Sequence, residues 1–265
     1  MSANATPRKP IRSLPAPDSD FYLVAEHLSD SERALLRKVR TFMETKVAPV
    51  INKFWAADAF PFELLPAIAE LNVAGVGFEG YGCPGGSTLL DGFIAMEMAR
   101  VDSSIATFYG VHSGLAMGSI YLLGSEEQRQ EWLPKMQAFK AIGAFGLTEP
   151  EVGSGAAGGL TTTAKRQGDR WVLNGQKKWI GNATFADVTI IWARDLDDDQ
   201  VKGFLVRKDA PGMDVEKIED KMALRIVQNG LITLRDCTVP ETDRLQNAND
   251  DFDYWTPKLT RPGRL

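Results

Sequence analysis

With 265 residues, 44% of them hydrophobic, the chain has enough apolar mass for one or two ordinary cores. Its net charge of −5 argues against nucleic acid or an anionic membrane surface as partner. Two cysteines, Cys83 and Cys237, make no disulfide framework, and His27 and His112 are too few and too far apart for zinc, so no metal is expected.

The proline-rich stretch 1–27 reads as a mobile leader. It lacks the apolar core of a secretory signal. Basic residues without an acid before Asp18 leave a transit peptide open, and the final Gly-Arg-Leu only loosely resembles a peroxisomal address. A cytoplasmic location is expected, with mitochondrial matrix or peroxisome as alternatives.

A helical region is expected over 28–138. Ser29 and Glu32 form a capping-box start, after which Leu35, Leu36, Val39, Phe42, Met43 and Val47 recur at helical spacing. Pro49 ends or kinks that helix. A shorter helix follows over about 61–71, then a turn-rich loop at 80–86 and helices over 89–100 and 104–123. Ser125 and Gln128 cap the next one. The stretch from Ser103 to Ser125 carries no charge, but its many hydroxyls and glycines suit a buried helix better than a membrane span.

Around Phe139 the hydrophobic period switches from 3.6 to 2, and a small antiparallel β-domain is expected over 139–249. Gly168-Asp169 and Asn174-Gly175 lie between β-favouring runs and give strong hairpin signals. Val188, Ile190 and Trp192 alternate in one strand, 203–206 continue the pattern, and 213–218 and 231–238 are further strands. The tail 250–265 has a different character. The fold class is therefore α+β.

The most informative segment is GAFGLTEPEVGSG from Gly143, followed by WVLNGQKKWIGNATFADVTIIWAR. An apolar strand runs into Thr148-Glu149-Pro150, and a loop spaced by Gly153, Ser154 and Gly155 follows. Closely spaced glycines let backbone N–H groups approach a ligand. Thr148 and Ser154 add hydroxyls, and Trp179 offers a broad aromatic face. On residue types alone, a Gly/Ser loop after a strand is more often simply a loop.

The whole run, however, resembles the flavin-binding signature of the acyl-CoA dehydrogenase family. GYGCPGG at 80–86, MEMARVDSS at 96–104, GSEEQRQEWLP at 124–134, and the later RIVQNG and VPETDRL stretches fall in family order. They look most like the branch of glutaryl-CoA dehydrogenases and plant short-chain acyl-CoA oxidases. The likeness runs from about Leu28 to Asn249. It implies an N-terminal helical domain and a β-domain, with FAD as cofactor and an acyl-CoA thioester as substrate. The family's C-terminal four-helix domain has no counterpart in this sequence.

By that resemblance, Phe145, Leu147, Thr148, Ser154, Trp179, Ile180 and Gly181 contact the flavin, and Ser154 also contacts substrate. Gly181 stands where many dehydrogenases carry a Thr or Ser hydroxyl facing flavin N5, so dehydrogenase and oxidase chemistry remain alternatives. Electron-transfer flavoprotein or oxygen is the matching acceptor. Ala106, followed by Thr107, matches the arginine with which glutaryl-CoA dehydrogenases pair a distal carboxylate, so a short uncharged acyl chain is favoured.

No catalytic residue is assigned. The family's glutamate base lies in a downstream Tyr-Glu-Gly stretch that this sequence does not contain. The chain is expected to be incomplete alone and completed by a second polypeptide or a homo-oligomer, the alternative being a non-catalytic flavin- or acyl-CoA-binding module or remnant. Glu97, Arg100 and Asp102 read as a solvated face or local ion pair, and Glu149 as part of a structural turn. The run Asp195, Asp197, Asp198, Asp199 reads as a hairpin turn, lacking a calcium loop's glycine and terminal glutamate.

Overall fold

Ser29 starts the first helix as its spacing to Glu32 requires: its hydroxyl accepts the Glu32 N–H, and the Glu32 carboxylate accepts the Ser29 N–H at 2.8 Å. In the computed structural model, which describes residues 20–153 and 159–248, helices α1 (Asp30–Phe42), α2 (Ile51–Ala57), α3 (Leu65–Glu70), α4 (Thr88–Val101), α5 (Ser103–Tyr109), α6 (Gly118–Leu123) and α7 (Glu126–Gln137) come first. Ser125 and Gln128 form the second reciprocal cap, at the start of α7. Val39, Met43, Val47, Ile68, Ile94, Met98 and Phe108 fill the helical core.

The charge-free stretch is helical but not one regular helix. Between α5 and α6 the residues Gly110–Met117 widen into a π-helical turn. Side chains of that turn reach other elements, as described below. Among the described residues, no helix is long and apolar enough to cross a membrane.

Seven strands follow: β1 (Gly143–Gly146), β2 (Thr163–Gln167), β3 (Arg170–Ile180), β4 (Val188–Asp195), β5 (Val201–Arg207), β6 (Met213–Lys217) and β7 (Gly230–Pro240). They form one sheet in the order β1-β4-β2-β3-β7-β6, with β5 on the other side of β4. The α+β architecture is as expected, but the sheet is mixed. β1 runs parallel to the start of β4 and β2 parallel to its end, because the chain reverses direction at the β2–β3 hairpin before returning through β4.

Gly168-Asp169 makes the expected β2–β3 hairpin. Asn174-Gly175 does not turn the chain; it is a bulge inside β3, where the register against β7 shifts. Gly175 has φ +141, and a Cβ there would lie 2.7 Å from the Thr162 backbone. Close backbone approach, not chain reversal, is what this glycine provides.

Two apolar layers flank the sheet. Val188, Ile190, Trp192 and Leu205 face the helices and pack with Ala116, Met117, Ile120, Leu133 and Met136. Ile191, Phe204 and Val206 face the other way, with Trp171, Leu173, Ile232 and Leu234. This alternation along β4 and β5 is the period-2 pattern read in the sequence.

Candidate cofactor site

Beyond β1 the chain stays extended through Leu147 and Thr148 and runs beside the end of β3. The Thr148 hydroxyl donates to the Lys178 carbonyl at 2.6 Å, and the Lys178 N–H donates to the Thr148 carbonyl at 2.9 Å. This pair of bonds holds Thr148 one residue from Trp179. The donor of the Thr148 hydroxyl is thereby used within the protein, so toward a ligand it offers a lone pair.

Behind this edge lies a buried ion pair. Lys177 Nζ donates to Glu149 Oε1 at 2.8 Å and to the Leu147 carbonyl at 3.0 Å, both side chains being wholly inaccessible. Glu149 also accepts from the Thr161 N–H, the Thr161 hydroxyl and the Thr162 N–H at 2.6–2.9 Å. Burial alone pushes its carboxyl upward, but the bonds from Lys177, Thr161 and Thr162 outweigh it and hold the group down at about 2. Glu149 is therefore a structural anion. It fixes the strip to the start of β2 and is no proton acceptor.

Trp179 is built by the opposite rule. The β3–β7 register shifts between Lys177 and Ile180, and Trp179 sits in that bulge with φ +66, its side chain 55% exposed. A left-handed conformation is unfavourable for a bulky residue and persists only where surrounding contacts impose it. Here Asn229 Nδ2 donates to the Trp179 carbonyl at 3.1 Å. Asn182, also left-handed and buried, donates to the Phe108 and Gly143 carbonyls at 3.4 and 3.3 Å. A broad indole is thus displayed beside the end of β1.

The helices close one side of this place. Phe108 of α5 receives Asn182, and Val111 of the π-helical turn packs where a Cβ on Gly181 would point. His112 is fully buried, its ring 4.7 Å from that of Phe139. Its Nδ1 accepts the Gly143 N–H at 3.1 Å and its Nε2 faces the Met136 carbonyl at 2.9 Å, so the proton sits on Nε2. Burial pushes His112 down to about 4, against the opposing Met136 carbonyl, so it is neutral at pH 7. The start of β1 is thus held by the turn that carries Val111.

The sequence-derived residues divide. Thr148, Trp179 and Gly181 lie together at this edge, and Ala106 and Thr107 lie on α5 immediately before the residue that receives Asn182. Thr107 donates its hydroxyl to its own helix, to the Ser103 carbonyl at 2.8 Å. Leu147 and Ile180 bury their side chains, and the half-buried Phe145 packs edge-on to Trp192. Ser154 and Gly155 lie outside the described residues. Val111, His112 and Asn182 were not singled out as site residues from the sequence. Only the proximity of Asn182 to the Trp-Ile-Gly run could have flagged any of them.

Of the charges read as a solvated face or ion pair, Glu97 and Arg100 do pair, whereas Asp102 caps α5 by accepting the Ser104 and Ile105 N–H groups. Glu97 is buried between Arg40 and Arg100, and Arg100 also reaches Glu44. In the acidic turn, Lys202 meets Asp195 and Asp198, and Arg194 meets Asp199. Among the described residues there is no cluster of acids, histidines or cysteines arranged to hold a metal.

Residues 29–140 match the sequence model of the acyl-CoA dehydrogenase N-terminal domain, and residues 144–237 that of the acyl-CoA dehydrogenase middle domain. The chain belongs to the acyl-CoA dehydrogenase superfamily. It is 34% identical over 234 residues to the short-chain specific acyl-CoA dehydrogenase of Homo sapiens, covering 85% of this chain and 55% of that protein. To the probable acyl-CoA dehydrogenase YngJ of Bacillus subtilis it is 31% identical over 230 residues, covering 85% and 60%. The structure of a glutaryl-CoA dehydrogenase from Mycobacterium smegmatis in complex with FADH2 superposes with a TM-score of 0.81 at 38% identity, covering 85% of this chain and 58% of that one. A structure of the electron transferring flavoprotein of Acidaminococcus fermentans gives 0.78 at 30% identity, covering 82% and 58%. The chain thus spans less than two thirds of the length of these proteins.

Proposed function

We propose that this chain forms the helical and sheet part of an FAD-dependent acyl-CoA dehydrogenase-type flavoprotein, with the flavin ring seated on Trp179 beside Leu147 and Thr148. The observation that carries this reading is the exposed, left-handed Trp179 in a bulge of β3. A core aromatic would be buried in a relaxed conformation, whereas a strained and displayed one suits a flat ligand. The residues fit the group, since one broad aromatic surface lies next to backbone and Thr148 lone pairs.

The acyl thioester would lie between this surface and the side of α5 that carries Ala106 and Thr107. Neither residue is charged, and this supports a short uncharged acyl chain over a dicarboxylyl one. When bound, FAD supplies the acceptor for a hydride from the substrate β-carbon. The protein's share is to orient the ring and exclude water. Removal of the α-proton needs a free carboxylate. Glu97 and Glu149 are both locked in buried ion pairs and do not provide it. The base would come from outside the described residues, on the same or another polypeptide, and the electrons would pass to an electron-transfer flavoprotein or oxygen.

Titrating the purified chain with FAD tests this reading. A saturable shift of the visible flavin band that is lost in Trp179→Ala supports it, and unaltered binding in that variant refutes it.

A further inference from the structure

Position 181 is crowded by a residue on another element. Gly181 is not among the positive-φ glycines, so its backbone does not demand the residue type. Space constrains it instead. A Cβ there would stand 3.2 Å from Val111 Cγ2 and 3.6 Å from Val227 Cγ1. The first distance is tighter than ordinary packing and obliges Val111 to move. Val111 has little freedom to do so. Its neighbour His112 holds the Gly143 N–H, and the Phe108 carbonyl one turn earlier holds Asn182. Val111 is also only half-buried, and it lies against Gly181, two residues after Trp179.

We propose that Val111 is a specificity-determining residue of the site: it crowds position 181, so that a side chain there displaces Val111, and in this way disfavours a hydroxyl donor on the ring-binding surface. The inference rests on the cofactor reading above. If it holds, position 181 and Val111 form one unit, and a hydroxyl becomes tolerable at 181 only when Val111 is shortened.

A double-mutant cycle on the full chain tests this, with Gly181→Thr, Val111→Ala and the two combined. Melting temperature and FAD dissociation constant are read for all four proteins. Gly181→Thr alone should lower the melting temperature and weaken FAD binding about fivefold or more, the size of a contact coupling. The combined variant should recover most of both losses. Its bound FAD should show a visible band displaced from that of wild type, a change that relief of packing alone would not cause. Additive losses in the two readouts would overturn the proposal. FAD binding by none of the four proteins would refute the cofactor reading and the hydroxyl part of the proposal together. The melting-temperature cycle would still decide the packing part, and additivity there would overturn it.

Discussion

Lys177 and Trp179 stand two residues apart on the same strand and obey opposite rules. Lys177 is wholly buried, with its ammonium bonded to Glu149 and the Leu147 carbonyl. Trp179 is more than half exposed and held in a backbone conformation that a bulky residue avoids. The first position gives the edge its rigidity at the cost of burying a charge. The second uses that rigidity to hold a strained aromatic in place. Adjacent positions in a functional strip can therefore have unrelated roles, and substitutions should separate them.

The largest effect is expected at the buried pair. Glu149→Ala leaves the Lys177 ammonium uncompensated and should cost about 3–5 kcal/mol in urea denaturation. Replacing both partners with neutral side chains of similar volume should cost much less. A single substitution with no stability loss would mean that the pair does not anchor the edge.

Acid should reveal the same anchoring. Glu149 is held at about 2 against an ordinary 4.5, so its contribution is complete above pH 4.5 and lost as pH falls toward 2. His112, at about 4 against 6.5, is the reverse type of group, favouring the folded state while neutral. The unfolded chain binds its proton first, so stability falls as pH drops from 6.5 to 4. In His112→Gln the amide can keep both hydrogen bonds, and the arm of the stability profile between pH 6.5 and 4 should flatten while the arm below 4.5 remains.

At Trp179 the expectation inverts. Trp179→Gly removes an exposed ring and suits the left-handed backbone, so stability should stay within about 1 kcal/mol of wild type or rise. FAD affinity should fall nonetheless. A large destabilisation would mean that the indole packs like a core residue and that the contrast with Lys177 is false.

The smallest effect belongs to the acidic turn. Among the described residues, Asp197 pairs only with an equally exposed Lys165, at 3.6 Å. Asp197→Ala should change stability by less than about 0.5 kcal/mol, and added calcium should not raise the melting temperature. A calcium-dependent rise would reopen the metal reading.

What the sequence made legible was local. Ser29 with Glu32 and Ser125 with Gln128 announced two helix starts, because a capping box is a contact between residues three apart. The alternation of Val188, Ile190 and Trp192 announced a strand whose one face meets the helices. Asn174-Gly175 misled because a turn and a bulge ask the same freedom of glycine. The distinguishing contact, Thr162, lies twelve residues before Asn174, just ahead of β2. The parallel β1–β4 pairing and the π-helical widening depend on where distant elements settle, and no short-range pattern encodes them.

Of the candidate residues named by resemblance, Thr148 stands beside the end of β3 that carries Trp179 and Gly181. The reasons for this placement, Lys178 against Thr148 and Asn182 against Phe108, are contacts across 30 and 74 positions of sequence. Ala106 and Thr107 were likewise named without the fact that places them, namely that α5 docks on the turn after β3. The strain at Trp179 could not be read at all, since a bulge is a property of two strands together.

The central claim is that the displayed Trp179 is a cofactor surface on a rigid edge. The most direct test is FAD binding by the wild-type chain and by Trp179→Ala, each checked for unchanged melting temperature. The account predicts saturable binding to wild type, weakened about tenfold or more in the variant, with both proteins equally stable. Equal affinity in the two proteins, or no binding to wild type, would contradict it.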